Sequence, residues 1–367
     1  MVIKSIRSRA PTRIDLAGGT LDIWPLYLFL NGPLTINLGI DLYAEATIDL
    51  ALASGSQPGK IRLKSQDQNA ELEWTWEDLA RGAEAPPALS LHAKLLRFFF
   101  ERRRNAGHMD LGLDLTLTTR ANSPAGAGLG GSSTLSVAMI GALASWAEET
   151  GRVDFLTQGE KFIEIVRDIE TTVIRVPAGL QDYYGAMFGG LQALRWGTGS
   201  QHREWLPAHL IAQLDERILL FYSGQSRNSG INNWALFKSF IDQKDDVREK
   251  FKQISQATHH LEAALRAKDW IRVGAAISEE WTIRKTLAPG ITTPDIDQAF
   301  SEAQKTGPIS GKICGAGGGG CFFVYLPTAE GREKQKEEIE KVFAAQGVRR
   351  LPFKGVPHGL EVQVTRA

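Results

Sequence analysis

The chain has 367 residues, 43% hydrophobic and 23% charged, with Lys plus Arg and Asp plus Glu equal at 42 each. That size allows two ordinary domains, and the composition is globular rather than disordered or fibrous. Zero formal charge argues against a nucleic acid or an anionic membrane as the main partner, and two cysteines, Cys314 and Cys321, are too few for a disulfide framework or paired zinc ligands.

The opening MVIKSIRSRAPTR lacks a secretory apolar region, and the apolar stretch Ile23–Ile40 is broken by Pro25, Asn31, Gly32, Pro33 and Asn37. Neither reads as a leader or a membrane span, so a cytoplasmic location is expected. In chain order, residues 2–17 alternate loosely and end in RIDLAGG, a strand entering a glycine turn. Leu111–Arg120 alternates Leu and Thr at period two, a second strand, and the turn Ala121–Gly131 leads to a helix rich in small residues, SSTLSVAMIGALASWAEE. Lys161–Ile174 reads as a helix stopped by Pro177 and Gly179. A strand over Arg217–Ser223 follows, then helices at 245–268 and 270–286, the strand CFFVYL, a helix over Glu330–Gln346 and a last strand GLEVQVTR. Strands and helices without regular βαβ alternation predict an α+β class. The composition shift at Gly197–His202 places a boundary between residues 1–198 and 199–367.

Ser123–Thr134 reads SPAGAGLGGSST. Between a strand and a helix, such a loop lets backbone N–H groups converge on an anion at the positive helix end. Ser132, Ser133 and Thr134 supply hydroxyls for capping, phosphate or a metal. Gly126, Gly128 and Gly131 fit a dinucleotide fingerprint, but Glu148 and Glu149 end the helix itself, with no strand leading to an acid. A Walker A loop fails because Ser132 stands in the lysine position. A capped glycine turn without function is the bland alternative.

On a wheel of about 100° per residue, Phe162, Ile163, Val166, Ile169, Val173 and Ile174 share one sector, and Glu164 and Asp168 point away. Glu170 falls inside that sector, where a carboxylate is costly unless compensated. A metal ion is one reason to keep it there, and a Glu at the edge of the stripe is the other. In GLQDYYGAMFGG, Asp182 sits among glycines and aromatics, placed to accept or orient a substrate proton, or else to serve as a cap. An anion cradle, an oxygen ligand for Mg²⁺ and a carboxylate facing a nucleophile together are what phosphoryl transfer requires.

The chain resembles the GHMP kinase superfamily, named for galactokinase, homoserine, mevalonate and phosphomevalonate kinases. Three stretches carry the likeness in the family's order: Arg9–Asp22 (RAPTRIDLAGGTLD), SPAGAGLGGSST, and Lys312–Val324 (KICGAGGGGCFFV). The resemblance implies an ATP–Mg²⁺ enzyme with an N-terminal ribosomal-S5-like domain and a C-terminal ferredoxin-like domain. It implies Asp182 and Arg13 as catalytic residues, with Ser132 and Glu170 as metal ligands. Pro124, Gly126, Gly128, Leu129, Gly130, Gly131, Ser132 and Ser133 would hold the ATP phosphates. Gly18, Gly19, Thr20, Asp22, Gly317 and Gly318 would line the substrate side.

Within the family, RIDLAGGTLD, GLQDYYGAMFGG, FYSGQSRNSG and WTIRKTLAPGITTPDID are most similar to the sugar 1-kinase branch acting on D-glycero-D-manno-heptose 7-phosphate. That branch usually reads AGGGTD where this chain has AGGTLD, with Leu21 inserted before Asp22. A small-molecule sugar or sugar phosphate is the expected partner, and a homodimer is left open. A phosphorylated substrate would need a remote cation, for which Arg227 and the Arg284–Lys285 pair are the candidates; a solvated helix face is the plain reading for Arg284 and Lys285. Other sugar kinases, mevalonate-type kinases and a non-catalytic sensor on the same fold are the alternatives.

Overall fold

A computed structural model of the protein describes residues 2–54, 58–108, 112–148, 153–199, 201–224, 229–244, 246–315 and 317–366. Its strands are β1 (Val2–Ala17), β2 (Leu34–Leu52), β3 (Lys60–Ser65), β4 (Ala70–Thr75), β5 (Leu113–Ala121), β6 (Leu191–Arg195), β7 (His202–Trp205), β8 (Ile218–Tyr222), β9 (Ser310–Ile313), β10 (Cys321–Tyr325), β11 (Arg349–Arg350) and β12 (Glu361–Arg366). Its helices are α1 (Trp76–Arg81), α2 (Ser90–Asn105), α3 (Gly131–Ala147), α4 (Phe155–Ile174), α5 (Gln181–Phe188), α6 (His209–Asp215), α7 (Ser229–Ile241), α8 (Val247–Ala267), α9 (Trp270–Arg284), α10 (Pro294–Gln304) and α11 (Arg332–Ala344).

The large sheet runs β12-β1-β2-β5-β3-β4, with β6 added to β2 and β7 to β6. Its pairs are antiparallel except β3 with β5. The long hairpin β1–β2 changes partners along its length. Residues 44–52 of β2 pair with β5, whereas Leu34–Leu38 pair with β6. Register shifts in β1 after Pro11 and after Asp15 mark where the hairpin turns from one layer to the next. Ile6, Ala10, Ile48 and Leu50 pack with α2 to α5, while Ile14, Leu16, Leu34, Ile36 and Leu38 join a second core with Leu261, Ile277 and Phe323. The segment after Arg13 therefore lies where the two cores meet.

The smaller antiparallel sheet runs β11-β8-β10-β9. In β10, Cys321, Phe323 and Tyr325 enter the second core, and Phe322 and Val324 enter a third with Phe221, Phe300 and Phe343. A strand buried on both faces explains the unbroken apolar run CFFVY. Burying one such ring stabilises by about 1.5–3 kcal/mol.

The α+β class is observed, but the sheets do not divide at residue 198. β7 and β12 both belong to the large sheet, so the chain's last strand returns beside its first. Two helices also differ from expectation. α4 begins at Phe155, because Asp154 accepts from the N–H groups of Leu156 and Thr157 as its N-cap. The stretch holding Asp182, given no element from the sequence, is a short helix, α5. Among the described residues, no helix is long and apolar enough to cross a membrane.

Candidate active site

The loop 122–130 joins β5 to α3 and is anchored by Ala127 and Leu129, both buried in the second core. Gly126, Gly128 and Gly130 have φ of 66°, 77° and 75°, a region that only glycine enters without strain. Gly130 is the N-cap of α3 and gives no side-chain cap bond, which leaves first-turn N–H groups available to an anion. α3 behind it is buried from Ser133 to Trp146, and its small residues permit that: a Cβ on Gly141 would lie 2.3 Å from Ser8 Oγ on β1.

Arg13 links this loop to Asp182. Its Nε donates to Asp182 Oδ1 at 2.8 Å, a terminal nitrogen donates to the same oxygen, and the other terminal nitrogen donates to the Gly128 carbonyl at 2.7 Å. Burial opposes the Arg13 charge, but Asp182 and Asp15 outweigh it and hold its pKa above the ordinary value. Asp182 stands on the first turn of α5 so close to the loop that a Cβ on Gly130 would lie 2.9 Å from its carboxyl carbon. Carboxylate, guanidinium and loop thus form one unit.

Glu170 is 3% exposed, on the inner face of α4 as its place among apolar residues predicts. The end of the predicted stripe differs, since Ile174 is exposed where the helix leaves the core. Three hydroxyls donate to the carboxylate: Ser132 Oγ at 2.7 Å, Tyr183 OH at 2.8 Å and Ser136 Oγ at 3.1 Å. Burial pushes the Glu170 pKa up despite these bonds. Ser132 itself is exposed at the start of α3, between the buried carboxylate and the loop.

On the substrate side, Asp22 is buried and accepts the Gln181 N–H at 2.9 Å, capping α5 just before Asp182. Burial raises its pKa to about 6. Gly18, Gly19 and Thr20 are held from below by a buried cluster of ions. Lys312 Nζ lies 3.1 Å from Asp15 Oδ2 and 3.0 Å from Glu280 Oε1. Arg284 pairs with the same Glu280 oxygen at 2.6 Å and donates to the Gly19 carbonyl at 2.7 Å and to Thr20 Oγ1 at 3.3 Å. Burial favours neutral Glu280, but Arg284 and Lys312 overcome it and hold its pKa well below the usual carboxylate range. Thr20 has φ 71°, a strained value that these contacts maintain.

One expectation is corrected here. Arg284 is not on a solvated face but 3% exposed in this cluster, while Lys285 is exposed at the helix end and is not drawn into it. Arg227 lies outside the described residues. In the third glycine stretch, Gly317 and Gly318 abut Ile291, with Gly318 N–H donating to its carbonyl at 2.7 Å. The loop 122–130 is braced by their neighbours: Cys321 N–H donates to Ala127 O at 2.7 Å, and Cys314 O sits where a Cβ on Gly128 would be 2.4 Å away. Asp15, Ser136, Tyr183, Glu280 and Lys312 were not singled out from sequence. The readable signals were Asp15 two residues after Arg13, hence on the same strand face, and Ser136 one helical turn after Ser132.

Residues 90–190 match the N-terminal domain of the GHMP kinases and residues 261–345 match the GHMP kinase C-terminal domain, together about half of the chain. The chain belongs to the GHMP kinase family of phosphotransferases. This GHMP kinase is 26% identical over 333 residues to D-glycero-alpha-D-manno-heptose 7-phosphate kinase of Campylobacter jejuni, covering 88% of this chain and 90% of that protein. It is 27% identical over 335 residues to the L-fucokinase/L-fucose-1-P guanylyltransferase of Bacteroides fragilis, covering 86% of this chain but 34% of that longer protein. Its fold matches a D-glycero-D-manno-heptose 1-phosphate kinase from Bacteroides thetaiotaomicron with a TM-score of 0.69, 21% identity and 98% of both chains covered.

Proposed function

We propose that this GHMP kinase transfers the γ-phosphoryl of ATP to the anomeric hydroxyl of a sugar, with D-glycero-D-manno-heptose 7-phosphate as the substrate. The observation that carries the reading is the Arg13 bridge, which fixes Asp182 beside the glycine loop that would cradle the phosphates. Asp182 accepts or orients the hydroxyl proton, and Arg13 holds that carboxylate in position and steadies charge growing on the phosphoryl oxygens. Backbone N–H groups of Gly126–Ser133 bind the phosphate oxygens, with Pro124 and Leu129 shaping the loop.

The residues fit a magnesium ion. One buried carboxylate and one exposed hydroxyl, Glu170 and Ser132, are already joined at 2.7 Å, and Mg²⁺ needs few protein ligands when phosphates and water complete its shell. When bound there it neutralises phosphate charge during transfer. Asp22 and the backbone of Gly18–Thr20 orient the sugar, and the buried ion cluster holds them in place.

A neutral sugar is the second reading, favoured by the likeness to the fucokinase over 86% of this chain. ADP release with ATP–Mg²⁺ across heptose 7-phosphate, unphosphorylated heptose, fucose, galactose and mevalonate separates the two. Turnover confined to heptose 7-phosphate is the expected result; turnover of fucose or galactose alone transfers the assignment to a neutral sugar, and none with any sugar refutes the sugar-kinase reading.

A further inference from the structure

The substrate segment and the segment before Asp182 meet at a bridge between Ile23 and Gly179. One residue beyond the bridge on either side, Trp24 and Ala178 line a cavity of about 720 Å³ together with Arg167, Thr171, Arg175 and Pro177. Trp24 is two residues from Asp22, at most about 7 Å along the chain, so the cavity opens near Asp22 rather than at a distant face. A pocket of this size holds a small ligand. We propose that it is a subsite for the distal phosphate of the sugar, with Arg167 and Arg175 as its cations; this rests on the sugar-kinase reading above.

Three features point to that chemistry. Arg175 is exposed, and among the described residues no acid pairs with it. Among the described residues the Arg167 guanidinium is bonded to its neighbour Asp168 alone, at 2.7 and 2.9 Å, with the Asp168 side chain 69% exposed. Such a solvated pair is weak, so a phosphate can recruit the guanidinium at little cost. Asp168 also lines the cavity. The lining charge is therefore two guanidiniums against one carboxylate, a net attraction for a dianion.

Trp24 supplies the third feature. It is 60% exposed at the cavity edge, an apolar face suited to stack on a sugar's C–H surface. A sugar with its anomeric end at Asp182 and its chain passing Asp22 would extend its far end here. Neither arginine belongs to the glycine stretches that carry the family likeness, so sequence motifs do not reveal the subsite.

The test uses the full chain and its Arg167→Gln/Arg175→Gln variant with ATP–Mg²⁺, comparing KM for heptose 7-phosphate with KM for unphosphorylated heptose. Loss of a charge-assisted bond to phosphate lowers binding by about tenfold or more for each guanidinium. With both guanidiniums removed, the variant should therefore lose preference for the phosphorylated sugar by about a hundredfold, and Arg175→Lys should keep most of it. An unchanged KM ratio overturns the subsite while leaving the kinase reading intact. If wild type turns over neither sugar, the kinase reading fails, and calorimetric titration with heptose 7-phosphate still decides the subsite: binding lost in the double variant supports it, and no binding to wild type overturns it.

Discussion

Replacing Lys312 by Met tests whether the buried ions hold the substrate segment. Lys312 is fully buried and is shared by Asp15 at 3.1 Å and Glu280 at 3.0 Å. At an effective dielectric of about 20, each contact is worth ~5 kcal/mol before desolvation is counted. Removing the ammonium leaves Asp15 without its bonded cation and Glu280 with Arg284 alone, and breaking such a buried group costs about 3–5 kcal/mol net. Urea unfolding followed by circular dichroism should show that loss as a lower midpoint. Lys312→Met/Asp15→Leu removes one charge of each sign and leaves the Arg284–Glu280 pair neutral, so it should recover at least half of the loss. In turnover assays, Lys312→Met should raise KM for the sugar more than KM for ATP, because Gly18–Thr20 loosen while the phosphate loop keeps its brace. A loss below ~1 kcal/mol, or a double variant less stable than the single one, would refute the reasoning.

Asp182→Asn should lower kcat by about 10²–10⁴-fold, with ATP affinity by calorimetry retained; full activity removes Asp182 from the proton transfer. Gly128→Ala places a Cβ 2.4 Å from Cys314 O at a φ of 77°; ATP binding should weaken by at least ~tenfold, given the 1–2 kcal/mol cost of that backbone region alone. Asp22 has a folded pKa of about 6 against an ordinary 3.8. The native state then binds more protons than the unfolded one between those values, so stability falls as pH rises from about 4 to 6, by ~3 kcal/mol in all. Denaturant midpoints of Asp22→Asn across that range should lack this slope; an identical slope in the variant would assign it elsewhere.

Much of the site was legible because its parts are local. A glycine loop before a small-residue helix marks a candidate anion site through backbone freedom alone, and Glu170 betrays itself as a carboxylate inside an apolar stripe. Those signals need only helical and strand periodicity. The chain by itself also determined the α+β class, since alternation and helical spacing are properties of neighbouring residues.

The tertiary structure decided the rest. Arg13 and Asp182 are separated by 169 positions, and only the packing of β1 against α5 makes them partners. Arg284 looked like a surface cation because its helix has other exposed charges; its burial comes with its contacts to Gly19 and Glu280, and Lys312 is equally mute until its side chain on β9 reaches Asp15 on β1. The third glycine stretch has the same property. Its glycines announce a close approach, but which backbone they approach, Ile291 or the phosphate loop, depends on how β10 docks. Local order is written in periodicity, whereas electrostatic partners and steric clearances depend on long-range closure of the fold, which no short stretch of chain contains.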